Sequence, residues 1–258
     1  MKNIRQLVVL IMLSLLSSCN NYLDVVPDNI ATIDNAFTDK AQAEKYLFTC
    51  YSYLPLFDDP EGNPGFYAGD EFWIFWPIPT GYYQSLDPYN IARGFQNRAN
   101  PLYNCWDGGG VARPLWQGIR TCNIFLENID KVLDLDSYMK KRWIAEAKFL
   151  KAYYHWYLLR MYGPIPIIDT NLPISASSDA VRVKRQPVDD VVKYIADLID
   201  SAVGDYPEAG LPNKIYNQAT EFGRITNTIA LPIKSKILFT AASQPFTGST
   251  VYSNCNNF

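Results

Sequence analysis

The chain has 258 residues, with 23 Lys and Arg against 26 Asp and Glu and a formal net charge of −3. Its apolar content is ample for a sizeable buried core, and its basic residues are scattered among acids, which excludes the basic patch of a nucleic-acid binder. A single histidine and five cysteines narrow the catalytic and metal chemistries open to it. The N-terminus reads as an export signal: Lys2 and Arg5 precede Leu7 to Leu16, an apolar run too short to span a bilayer.

The next four residues, Leu16-Ser17-Ser18-Cys19, resemble the bacterial lipoprotein processing signal. That resemblance makes residues 1–18 a lipoprotein signal peptide and Cys19 the acylated first residue of a mature chain, 19–258, with a net charge of −5. Several acyl chains on one residue hold a protein stably on a membrane surface, where one does not. The remaining cysteines, Cys50, Cys105, Cys122 and Cys255, match no zinc spacing and form no C-x-x-C. They are expected to be structural, and an exported chain permits disulfides whose pairing the sequence does not give.

After a polar tether, Asp34 and Thr38 are the predicted caps of a helix through Ala41 to Tyr53, whose apolar residues Ala43, Tyr46, Leu47, Cys50 and Leu54 share one face. From Phe57 to Gly110 no periodicity survives. This stretch belongs to a span, Tyr51 to Trp106, that holds fifteen aromatics, which argues against disorder, and an ordered loop of such length is usually functional. Helices then dominate. Pro114 opens one whose stripe is Ile119, Cys122, Phe125, Leu126 and Ile129. The longest runs from about Tyr138 to Tyr162, with Ala145, Phe149, Ala152, Trp156, Leu159 and Tyr162 on one face and Gly163-Pro164 as its stop. Ile165 to Ile168 is predicted extended, Ser175 to Gln186 a polar link, and Pro187 to about Val203 a helix. A last helix spans roughly Asn227 to Ser243, with Pro232 tolerable only within its opening turn. The predicted fold class is mainly all-α: an irregular tetratricopeptide-like helical array of antiparallel pairs with a long aromatic-rich loop insertion, although no strict 34-residue repeat is visible.

Catalysis finds little support. His155 sits among helix-packing residues and is expected to be structural, and no nucleophile signature accompanies it. Two carboxylates suffice for a glycosidase, and Asp58, Asp59, Glu61, Asp70 and Glu71 lie in the loop, but acidic loop residues are normally solvated turn formers. Asp58 to Asn63 offers oxygen ligands of the kind calcium takes without EF-hand spacing. The expectation is a non-enzyme with no cofactor, a structural Ca2+ being the alternative to a plain acidic turn.

Several phrases together carry a family resemblance. They are Cys19-Asn20-Asn21-Tyr22-Leu23-Asp24-Val25-Val26-Pro27; Trp116-Gln117-Gly118-Ile119 leading to Leu126-Glu127-Asn128-Ile129; Ala145-Glu146-Ala147-Lys148-Phe149-Leu150-Lys151-Ala152-Tyr153-Tyr154, continuing to Tyr162-Gly163-Pro164-Ile165-Pro166; and Gly223-Arg224 with Ala241-Ala242-Ser243-Gln244-Pro245-Phe246. In family order from residue 19 to 246, they resemble the SusD/RagB outer-membrane lipoproteins. The resemblance implies a surface lipoprotein that binds oligosaccharides, or peptides in some members, and delivers them without catalysis to a SusC-like TonB-dependent transporter. It implies a location at the outer membrane, anchored through the N-terminal lipid. Family members are longer, so 19–258 is expected to be an N-terminal helical domain lacking a C-terminal portion.

A sugar ring offers an apolar face and a hydroxyl rim, so a site for it wants flat rings edged with polar side chains. The candidate ligand-binding set is Trp73, Trp76, Tyr82, Tyr83 and Trp106, with Asp70, Asn90 and Arg93 as polar partners. A helical adaptor that binds only proteins through these aromatics and a lipid-anchored glycoside hydrolase are the alternatives.

Overall fold

A computed structural model describes residues 33–56, 63–67, 87–109, 112–204, 209–243 and 246. Two units are distinguished, 1–35 and 36–258. Of the first, only 33–35 are described, as the start of a 3-10 turn, Ile33–Phe37. The lipid-attachment residue Cys19 lies outside the described residues.

In the second unit, helix α1 is Lys40–Tyr51. Its cap is neither Asp34 nor Thr38 but Asp39, whose carboxylate accepts the Gln42 N–H at 2.9 Å. Asp39 alone has the extended backbone and the three-residue offset that this bond requires. Ala43, Leu47 and Cys50 form the buried face, as the spacing predicts. Two one-turn helices follow, α2 (Pro64–Tyr67) and α3 (Asp87–Ala92), packed against each other. Each is too short to leave a period in the sequence.

Helix α4 is Leu115–Asn128, continued by a 3-10 turn Ile129–Lys131. Helix α5, Ser137–Tyr162, starts at Asp136, which caps Met139, and ends where Gly163 turns to φ +70 ahead of Pro164. Its predicted single apolar face is too narrow a description: every residue from Phe149 to Leu159 is buried, Lys151 and His155 included. A helix enclosed on all sides is a central one, and α5 packs on α1, α4 and α6. Helix α6, Val188–Val203, buries Val188, Val191, Ile195, Ile199 and Ala202 and packs in turn against α8, Asn227–Ala241. Between them lies the one-turn α7, Gln218–Glu221. Pro232 stands inside α8 in its second turn rather than its opening turn, so the Thr228 carbonyl loses its helical donor. Among the described residues there is no strand, only an isolated bridge between Gly109 and Ala112. The architecture is the predicted all-α array.

One buried carboxylate ties the array together. Glu146 of α5 is fully buried and accepts the Tyr51 hydroxyl at 2.8 Å, Arg142 Nε at 3.2 Å and Arg224 Nη1 at 3.3 Å. Arg224 also pairs with Glu44 of α1, and Arg142 with Glu221 of α7 at 2.6 Å. The Tyr51 oxygen in turn accepts the Ile225 N–H at 3.2 Å. Burial raises the pKa of Glu146, and Arg224, Tyr51 and Arg142 oppose that rise by favouring the anion. Removing one partner from such a pair strands the other charge. Arg224→Ala is therefore expected to cost about 3–5 kcal/mol in urea unfolding, and a loss under about 1 kcal/mol would show that the network is not structural.

Candidate functional site

The chain from α3 to α4 returns to the core through Tyr103 and Cys105, both buried, with the Tyr103 hydroxyl 3.2 Å from that of Tyr157 on α5. Asn104 then makes an Asx turn, its side-chain oxygen accepting the N–H groups of Trp106 at 3.0 Å and Asp107 at 3.2 Å. This turn delivers the Trp106 ring edge-on to Trp116 (centroids 5.1 Å apart) and to Tyr162 (5.3 Å), under the Arg185 guanidinium at 5.3 Å. Arg185 is held by the carbonyls of Tyr162 and Pro164, at 3.3 and 3.1 Å. Edge-to-face rings and a capping guanidinium are a packing arrangement, and Trp106 is half-buried within it.

The ring series continues from Trp116 to His155 (6.0 Å) and from His155 to Tyr194 (5.2 Å). His155 is fully enclosed; Nδ1 lies 2.8 Å from the Lys151 carbonyl and Nε2 accepts the Ile168 N–H at 3.3 Å. These partners fix a neutral ring protonated at Nδ1, and burial brings its pKa down to about 4. Both nitrogens are thus engaged, which leaves this imidazole no free nitrogen to direct at a substrate. Beside it, Asp169 accepts Lys151 Nζ at 2.9 Å and the Tyr194 hydroxyl at 2.8 Å. The Lys151 bond leads the causes that hold Asp169 below the usual carboxylate range.

Against this cluster opens a cleft of about 700 Å³. Trp116, Ile167 and Ile168 wall it, Arg120, Asp169 and Asn171 supply polar groups, and Leu172, Ile174, Val181 and Val183 form an exposed aliphatic rim. Asn171 is fixed by its N–H to Glu127 (3.2 Å) and its side-chain amide to the Arg120 carbonyl (3.2 Å). Reading 175–186 as a polar link misses this rim. The signal was present in the β-branched Ile174, Val181 and Val183, dispersed among polar neighbours.

The predicted ligand-binding residues divide between regions. Asp70, Trp73, Trp76, Tyr82 and Tyr83 lie outside the described residues, as does the acidic run 58–61. Asn90 is half-buried on α3, and Arg93 is exposed just beyond it, its guanidinium 4.6 Å from the Phe95 ring centroid and 5.5 Å from that of Tyr89. Trp106 sits in the packed cluster with α4 and α5. Among the described residues no group of His, Cys, Asp and Glu is arranged to hold a metal.

A SusD-like family model, described as starch-binding and associating with the outer membrane, matches residues 99–225. Over these residues the chain is similar to the SusD/RagB family. The matched stretch carries the Trp106 turn, helices α4 to α7 and the cleft. Similar solved structures include a protein designated BT4246, 28% identical over 84% of this chain and 34% of its own, with a TM-score of 0.61. A SusD-like protein from Bacteroides fragilis is 20% identical over 83% of this chain and 37% of its own (TM-score 0.59). A laminarin-binding SusD-like protein is 20% identical over 81% and 42% (TM-score 0.60); at this identity these last two establish the shared fold. The chain therefore spans about a third of the length of the first of these structures. Among curated proteins none matches it.

The His155 environment of this SusD-like chain has a measurable consequence. Unfolded, the ring takes up its proton below its ordinary value of 6.5; folded, only near 4. Between the two the unfolded state holds the extra proton, so stability falls as pH drops through that window. Compared with His155→Gln, the native chain is expected to lose about 3 kcal/mol more between pH 7 and pH 4. Parallel urea-stability profiles for the two would contradict the buried neutral ring.

Proposed function

We propose that the protein captures oligosaccharides at the outer membrane, anchored through lipid on Cys19, and passes them without catalysis to a SusC-like TonB-dependent transporter. The observation that carries the reading is the family match over residues 99–225, described as starch-binding. One protein of the same fold binds laminarin, and a surface glycan-binding protein A from Bacteroides uniformis, 21% identical, shares it too. Both lend the ligand class to this chain by analogy of fold.

The described geometry favours binding over hydrolysis. The single histidine is enclosed with both nitrogens used, and Asp169 is held by Lys151 and Tyr194. Scaffold rings such as Trp106 and Trp116 are committed to each other. The rings of 72–83 are the ones that would stack on a sugar face, with Arg93 and Asn90 following them in the chain. A second reading, a protein-binding adaptor, is favoured by the exposed aliphatic rim of Leu172, Ile174, Val181 and Val183, since such patches suit protein partners.

Calorimetric titration with starch and laminarin oligosaccharides separates the readings. The native chain is expected to bind one of them and to release no product from it. Trp73→Ala with Trp76→Ala is expected to weaken binding at least tenfold, about 1.4 kcal/mol, at unchanged Tm. Trp106→Ala is expected to lower Tm instead. Flat titrations across the panel favour the adaptor, released product favours the hydrolase, and unchanged affinity in the double variant removes those two rings from the site.

A further inference from the structure

We propose that Cys50 and Cys122 are joined by a disulfide that staples α1 to α4. The register of the two helices supplies the geometry. Phe37, just before α1, meets Phe125 near the end of α4, with ring centroids 6.0 Å apart. Tyr53, just after α1, meets Gly118 near the start of α4: a Cβ at Gly118 would lie 2.9 Å from the Tyr53 Cβ. The helices therefore run antiparallel, and their backbones come unusually close at the second crossing because position 118 has no side chain. One turn back along α1 and one turn forward along α4 from that crossing stand Cys50 and Cys122. Both are wholly buried and both are thiols in this structure. Helices this close bring facing Cβ atoms toward the separation that a disulfide spans.

The surroundings agree with this pairing. The Cys122 thiol is pushed well up, first by burial and then by the Cys50 thiol at its side. Cys50 is further located by the Tyr154 hydroxyl, which donates to its carbonyl. Cys105 is buried elsewhere, with Tyr103 and Arg160 as the groups acting on its thiol. It does not compete for either partner.

Forming the bond removes one hydrogen from each thiol, and the two protons and two electrons pass to the oxidant. That oxidant is a disulfide of the thiol–disulfide exchange class, a Cys-X-X-Cys oxidoreductase or oxidised glutathione, which leaves as a dithiol or as two thiols. Attack requires a thiolate, and in the folded chain both sulfurs are enclosed and Cys122 is held protonated. Oxidation therefore belongs to folding, before the α1–α4 face closes, and a chain already folded in the reduced form resists it. In the cell the inference rests on export to an oxidising compartment; its test does not.

The full chain, unfolded and reduced, is refolded in a glutathione redox buffer, alkylated under denaturing conditions and mapped by mass spectrometry. A linked pair of peptides carrying Cys50 and Cys122, with Cys105 alkylated, is the expected result. Alkylation of both Cys50 and Cys122, or linkage of either to Cys105 or Cys255, overturns the proposal. The oxidised form is expected to melt roughly 5–10 °C above the reduced form, a gap that Cys50→Ala with Cys122→Ala abolishes; equal Tm values overturn the stapling role. Because refolding is done in vitro and scored on sulfur chemistry, the outcome is independent of glycan binding and of where the chain resides.

Discussion

A carboxylate without water is the constraint from which the rest of this structure follows. Glu146 lies wholly inside the array, where an unpaired charge costs several kcal/mol. Its partners come from three places: Tyr51 at the end of α1, Arg142 one turn earlier on α5, and Arg224 just ahead of α8. Satisfying it fixes α1 and the segment before α8 against one point on α5. The two phrases that contain these groups, Ala145-Glu146-Ala147 and Gly223-Arg224, lie 78 residues apart in sequence. They meet at one ion pair, with alanines on either side of the carboxylate leaving room for its partners. An apolar pair of the same volume could be equally stable, but it would accept sliding of the helices that charged hydrogen bonds do not.

The same economy of contacts accounts for much of the aromatic richness of the scaffold. Trp106, Trp116, Tyr162, His155 and Tyr194 form a continuous ring-to-ring series along α4, α5 and α6. In it His155 acts as a spacer that closes the backbone donors and acceptors around it. Rings packed edge-to-face in this way spend part of their surface on each other. The cleft beside them keeps only part of Trp116 and presents an aliphatic rim instead. The proposed division of labour assigns positioning to the described helices and recognition to the rings of residues 72–83.

Much of this was legible in the sequence, and the parts that were not have physical reasons. Helices α4, α5 and α6 follow their apolar spacing to within a residue or two, and Gly163-Pro164 stops α5 as expected. The α1 cap was misplaced because Asp34, Thr38 and Asp39 are all capable residues, and only backbone geometry shows which reaches Gln42. Arg142, Glu146 and Lys151 count as surface in any hydrophobic pattern. The enclosure of α5 from Phe149 to Leu159 therefore stayed hidden until the ion pairs that make it tolerable were seen. Pro232 was held tolerable only within the opening turn, whereas α8 continues through it in its second turn while packed on α6. Trp106 was placed in the candidate ligand-binding set, since a tryptophan ahead of a helix looks the same until its packed neighbours are known.

The central proposal is that glycan recognition belongs to the rings of residues 72–83 and that the helical array supports them. Hydrogen–deuterium exchange with and without saturating starch or laminarin oligosaccharide tests it most directly. The account predicts ligand-dependent protection concentrated in residues 68–93, with α5 unchanged because its amides are already enclosed. Protection centred on the cleft residues 167–183, or on the Trp106–Trp116 cluster, with none in 68–93, would contradict it.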